Sequence, residues 1–237
     1  MPACQRVPRE SPRTGTTTVI ERERIRAGME DVRAVARSYF DDEMNPAHDW
    51  HHVQRVERLA DTLLDTYDRA EETVVRHAVL LHDIGRVRED RGDIDDHASW
   101  GAREAEDILA DRGVDESHVD GVCHAIRVHR YSNDLEPETL EAEILCDADN
   151  LDALGAVGIA RCFSYGGERG ETIYDPEIPL TEDDTSAGAH QYNHFYKKIL
   201  DLPERMYTDA GRAIADDRSA FVESFLDRFD REIAGDA

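Results

Sequence analysis

Lysine is nearly missing from this sequence. Among 237 residues it occurs only at 197 and 198, so arginine supplies almost all of the 28 fixed positive charges, against 53 acidic side chains. The formal net charge is -25. A surface that negative repels nucleic-acid phosphates unless a local basic patch overrides it, which argues against general DNA binding. Abundant carboxylate with almost no lysine suits concentrated salt, where repulsion is screened and the surface stays hydrated. An acidic protein of ordinary surroundings is the other reading. Long apolar runs are also missing: nothing approaches the roughly 18 residues of a membrane span. The opening stretch MPACQRVPRESPRTGTTT has no apolar core of signal-peptide type and reads as a disordered tail over residues 1–18. The expectation is a cytoplasmic protein with no membrane partner, as monomer or homodimer.

Cysteine is sparse and unpaired. Cys4, Cys123, Cys146 and Cys162 form no CxxC spacing, and Cys123 and Cys146 fall inside apolar helical patterns as reduced, buried thiols. This excludes a disulfide framework and a thiolate zinc site. Aromatics are only 7% of residues, but a hydrophobic fraction of 40% suffices for a core.

Alternating strand patterns are absent too, and the periodicity is helical almost throughout. The fold class expected is all-α, in one domain over residues 19–237. Helices are predicted over residues 19–41, then from 49, with Asp49 as N-cap and Val53, Val56, Leu59, Ala60 and Leu63 on one side. A central, buried helix follows over 70–84, ended by Gly85. Asp96 caps another that runs to 111, where Gly113 stops it. Further helices cover 117–128 and the stretch after Pro137 into CDADNLDALGAVGIARCF. Residues 164–187, rich in Gly, Pro and acid, read as a long loop, either functional or mobile. Helices over 190–200 and 204–233 close the chain.

Within this frame the strongest local signal is His82-Asp83. A carboxylate beside an imidazole at the end of a buried apolar helix is costly to maintain. Adjacent helical residues point roughly 100° apart, so both can approach one ion. The bland reading of the dipeptide alone is a helix-terminal Asp beside a satisfied core His. A further ligand must come from another helix, where His52 shares the stripe of Val56, Leu59 and Leu63 and faces the core. His51 shares its side with Arg55 and Arg58 and faces water, and His48 sits at the helix start, near enough to touch a ligand. A carboxylate to balance charge comes from DADNLDALGA. Asp149 shares a face with Leu145, with Asp152 behind it, whereas Asp147 points elsewhere, to solvent or a cap.

The order His52, His82-Asp83, Asp149 resembles the HD-domain superfamily of metal-dependent phosphohydrolases. HDWHHVQRV (48–56) is similar to the family's first-His motif, in which Arg-Val follows the ligand three residues on. AVLLHDIG (78–85) looks like its second motif and DADNLDALGA (147–156) like its last. The likeness continues through GIARCFSYGG and HFYKKIL, features of small stand-alone bacterial and archaeal members, and so covers the chain from about residue 20. It implies an all-α fold with the metal between helices and hydrolysis of phosphoesters or phosphoanhydrides in a small substrate, foremost a nucleotide.

Two imidazoles and two carboxylates suit one divalent ion, manganese first, with iron, cobalt, nickel or magnesium as alternatives. The ion would neutralise charge at phosphorus and acidify a bound water, which Asp83 or Asp152 could orient or deprotonate. His97 resembles the extra histidine of dinuclear members, and His129, on the stripe of Val122 and Ile126, also qualifies, so a second metal is allowed; with one ion the two contact substrate or cap helices. His48, Arg161, His194 and Lys197 complete the candidate substrate contacts, a guanidinium or ammonium offsetting repulsion of an anionic substrate. Two further readings stand beside the hydrolase. One is a regulatory protein that binds a nucleotide without turnover. The other is a di-iron oxygenase on the same fold, which needs the fuller histidine set.

Overall fold

The computed structural model describes residues 19–40, 44–130 and 135–236, and these contain helices and no strand. The tail over residues 1–18 and Asp41 lie outside the described residues. The first helix, α1 (Val19–Arg37), leads into α2 (Trp50–Leu64). Asp49 caps α2, its side chain accepting from the His52 amide. The apolar side read from the sequence is the buried side: His52, Val53, Val56, Leu59, Ala60 and Leu63 all face inward.

Helix α3 (Glu72–Leu81) is buried over most of its length, but it stops before His82 rather than at residue 84. Residues 82–85 form a turn, and Gly85 starts the short helix α4 (Arg86–Asp90) instead of ending the previous one. Gly85 is needed there for a close approach: a Cβ would lie 2.7 Å from the His97 carbonyl oxygen. That contact seats the start of α5 (His97–Ala110) on the His82-Asp83 turn. Asp96 caps α5 as expected, accepting from the Ala98 and Ser99 amides.

Helices α6 (Glu116–Val128) and α7 (Leu140–Asp152) complete the core, in which α5 packs on α6 and α2 lies along α7. Cys123, Cys146 and Cys162 are buried free thiols. Burial pushes Cys123 up to about 11, so it is inert. The chain breaks at Leu154 and restarts as α8 (Gly155–Glu168). Tyr165-Gly166-Gly167 is therefore helical, and the irregular segment begins at residue 169, not 164. Gly166 lies against Gln191 of α9 (Gln191–Lys197), a packing role that composition could not distinguish from a turn. A 3₁₀ segment, Ile199–Arg205, then contains Pro203. It delays the last helix, α10 (Asp209–Ile233), beyond the expected start at 204.

Among the described residues no helix is long and apolar enough to cross a membrane.

Candidate metal centre

Three elements converge on one buried point. Helix α2 delivers His52, the turn after α3 delivers His82 and Asp83, and α7 delivers Asp149. His52 and His82 are fully buried, while the Asp149 side chain is 23% exposed and forms the open side. His52 Nε2 lies 3.3 Å from His82 Nε2, 3.2 Å from Asp149 Oδ1 and 3.6 Å from Asp83 Oδ2. His82 Nε2 lies 3.7 Å from Asp83 Oδ2 and 4.0 Å from Asp149 Oδ1. Donors bound to one ion at about 2.0–2.2 Å sit about 3–4 Å apart, so these separations match a common centre.

The tautomers point the same way. His82 Nδ1–H donates to the Val79 carbonyl at 2.7 Å, and His52 Nδ1–H donates to Asp152 Oδ2 at 2.8 Å. Each ring therefore directs its Nε2 at the other, an arrangement that a cation between them satisfies. Two imidazole nitrogens and two carboxylate oxygens, with no thiolate, fit a divalent ion.

Asp152 stands behind this cage rather than at its mouth, which corrects its expected part in orienting water. Arg55 grips it with Nε on Oδ1 at 2.8 Å and Nη2 on Oδ2 at 3.0 Å, and Arg161 Nη1 lies 3.0 Å from Oδ2. Burial would raise its carboxyl, but the bonds from His52 and Arg55 and the charge of Arg161 bring it down to about 2. Asp152 thus stays ionised and orients His52. Arg55, placed with the water-facing side of α2 in the sequence, reaches back to make this pair; His51 and Arg58 are exposed as expected.

Asp83 faces two ways. Its Oδ2 belongs to the cage, while Oδ1 lies 3.3 Å from His97 Nε2 and 3.7 Å from His129 Nε2, which are 3.4 Å from each other. His129 Nδ1–H donates to the Ile126 carbonyl at 2.6 Å, and His97 Nδ1–H to Glu89 Oε2 at 2.9 Å. Asp83, His97 and His129 therefore form a second, adjoining group of ligand type. Burial opposes charge on Asp83, but His82, the His129 bond, Arg86 and His97 hold its carboxyl well below the usual range.

A cavity of about 560 Å³ opens over both groups. Its wall carries Arg86, Arg130, Arg161, Arg169 and Lys198 with His48 and His194, balanced by Asp83, Glu89, Asp90, Asp149 and Glu171, so the wall is near neutral in a chain of net -25. Arg86 went unnoticed in the sequence although it directly follows the His82–Gly85 turn. Its Nη2 donates to His48 Nε2 at 2.8 Å, and burial, then the charges of Arg86 and Arg161, keep His48 neutral. Lys197 is not on this wall. Its ammonium binds the carbonyls of Asp183 and Thr185, the latter at 2.6 Å, because its position on α9 faces the preceding loop. Asp147 meets a cap and not solvent: it is fully buried and accepts from the Tyr207 and Thr208 amides, each at 2.8 Å.

Comparison with known proteins agrees with this architecture. The HD-domain family profile matches residues 49–154, a span that contains all four cage residues. The protein YpgQ of Bacillus subtilis is 34% identical over 210 residues, 87% of this chain and 94% of that protein. Among solved structures, an HD-superfamily hydrolase from Bacillus thuringiensis is 31% identical. The alignment covers 90% of this chain and 98% of that one, with a TM-score of 0.67. The crystal structure of Bacillus subtilis YpgQ in complex with ADP is 28% identical over 88% of this chain and 96% of that one, with a TM-score of 0.68. The chain belongs to the HD-domain family.

Proposed function

We propose that this protein is a metal-dependent phosphohydrolase that cleaves phosphoester or phosphoanhydride bonds in a small phosphorylated substrate, with nucleotides as the first class to test. The observation that carries this reading is the union of the four-donor cage with a cavity wall on which four arginines and a lysine stand among the carboxylates. His52, His82, Asp83 and Asp149 would hold the ion, manganese being the first choice. Bound there, a divalent ion supplies charge neutralisation at phosphorus and acidifies a water in its reach. Asp83, reaching into both groups, would orient the attacking water. Arg86, Arg130, Arg161 and Lys198 bind and orient the phosphate oxygens, which the net charge of the surface would otherwise repel. Asp152 and Arg55 hold His52 in place. The ADP complex of the Bacillus subtilis relative supports a nucleotide as ligand.

The adjoining Asp83, His97 and His129 group favours a second reading of the centre as two ions sharing Asp83. Two bound irons would bring the oxygenase chemistry back into consideration. With one ion, His97 and His129 contact the substrate.

The test is a phosphate and pyrophosphate release screen in concentrated salt. A panel of nucleotides and phosphomonoesters is paired with Mn²⁺, Co²⁺, Ni²⁺, Mg²⁺ or chelator, beside elemental analysis of the protein. Metal-dependent release from one substrate class is the expected result. Silence across the panel with one ion bound would move the reading to a nucleotide-binding regulator.

A further inference from the structure

The segment joining α8 to α9, residues 169–190, has the composition of a mobile lid, yet it is bonded throughout. Its hub is Asp183, 9% exposed. The Asp183 carboxylate accepts from the Thr185 amide at 2.9 Å, the Thr185 hydroxyl at 2.6 Å, the Ala189 amide at 2.8 Å and Asn193 Nδ2 at 2.8 Å. Lys197 Nζ lies 3.3 Å from Asp183 Oδ1 and also donates to the Asp183 and Thr185 carbonyls. An ammonium ringed by two backbone carbonyls and a carboxylate has all three donors directed, so the loop closes around it as around a small cation. These donors hold the Asp183 carboxyl well below its usual range, the Thr185 bond contributing most.

Two more contacts carry this order to the cavity. His194 Nδ1–H donates to the Ala187 carbonyl at 2.6 Å. Gly188 has φ +91° and lies so close to α9 that a Cβ would be 2.4 Å from the His194 amide nitrogen. Only glycine fits there. Ala187 and Gly188 thereby become part of the cavity wall, beside Cys162, Ile199 and Leu202. None of these five residues belongs to the cage, and they offer small and apolar surface between the polar groups of Gln191, His194 and Lys198.

We propose that the Asp183–Lys197 clamp is a positioning device that fixes Ala187–Gly188 as a permanent wall against the organic portion of the substrate, leaving phosphate contacts to the arginines beside the cage, Arg86 and Arg161. The proposal rests on the reading of this cavity as a substrate site. A wall already ordered before binding adds affinity by sparing the ordering cost that a lid would incur. Lys197 therefore acts on affinity for a ligand that has an organic part, and not on the ion or the phosphate.

The test is calorimetric titration of ADP and of inorganic pyrophosphate, each with Mn²⁺, into the wild-type chain, Lys197→Met and Thr185→Val. Thr185→Val removes one bond to Asp183 at nearly constant shape and covers the case in which Lys197→Met does not fold. The expected result is an ADP affinity at least 10-fold weaker in Lys197→Met and severalfold weaker in Thr185→Val, with pyrophosphate affinity within 2-fold of wild type. Unchanged ADP affinity, an equal loss for both ligands, or no ADP binding by the wild type would overturn the clamp. Hydrolysis is assayed separately: a wild type that binds ADP but cleaves nothing in the screen removes the proposed function and leaves the clamp to be judged by the titrations.

Discussion

Helix α3 governs two histidines five positions apart, and they have opposite fates. His77 meets His118 of α6, Nδ1 to Nε2 at 2.9 Å. His82, just past the helix end, meets His52 with Asp83 and Asp149 close by. Burial lowers both His77 and His82 to about 4. The difference lies in the company. At the first pair one imidazole donates to the other and the bond is complete; Glu71 and Asp115 act on His118 only through space. At the second, both Nδ1 atoms are already engaged outward, and carboxylates converge on the two Nε2 atoms. Buried imidazoles alone therefore make a neutral structural contact. An ion site requires rings anchored from behind and anions in front.

Substitutions can sharpen or break this contrast. The largest effect is expected from His82→Ala or Asp83→Ala, which should abolish ion binding and lower hydrolysis by at least about 10³-fold. Helix content by circular dichroism should stay near wild type, and normal turnover in an ion-free Asp83→Ala protein would erase the distinction. Asp152→Asn removes the charge that anchors His52, and ion affinity measured by chelator competition should fall about 10–100-fold. His129→Gln tests the adjoining group: the cage ion should remain at one per chain by elemental analysis, with turnover down about 10-fold. A fall from two ions to one in that variant would establish the tandem centre.

The smallest effect belongs to the structural pair and appears in stability alone. Folded His77 titrates near 4, against 6.5 for the free side chain, so the unfolded chain takes up the proton first as pH falls. Stability from this group is complete above about pH 6.5 and is lost between 6.5 and 4. His77→Gln should flatten that fall, by on the order of 1–2 kcal/mol in urea titrations across the window. A wild-type curve with no slope there would show the pair to be energetically silent.

Direction was legible in the sequence, reach was not. Periodicity separated His52 from His51 on α2 and placed Asp149 and Asp152 on one face, because helical geometry fixes where each Cβ points. Asp49 and Asp96 could be read as caps because their donors lie two or three residues away. Arg55 and Lys197 defeated the same method. Their long side chains leave the direction of their Cβ and end on partners far along the chain, Asp152 for one and the 183–185 carbonyls for the other. Asp147 was read as a cap or solvent contact, but its partner, the start of α10, lies 61 residues on. The turn at His82 was hidden for another reason. Apolar residues continue to Ile84, and periodicity has no term for the close approach that requires Gly85.

The three aspartates of α7 have a consequence for how this chain can change length. Asp147 caps α10, Asp149 faces the cage and Asp152 holds His52. At about 100° per residue, Asp149 and Asp152 lie some 60° apart, and Asp147 points to nearly the opposite side. One rigid helix thus sets three unrelated contacts by residue count alone. An insertion or deletion of a single residue between 147 and 152 would turn one set by a quarter of a circle relative to the other. Divergence by insertion is therefore closed to this segment.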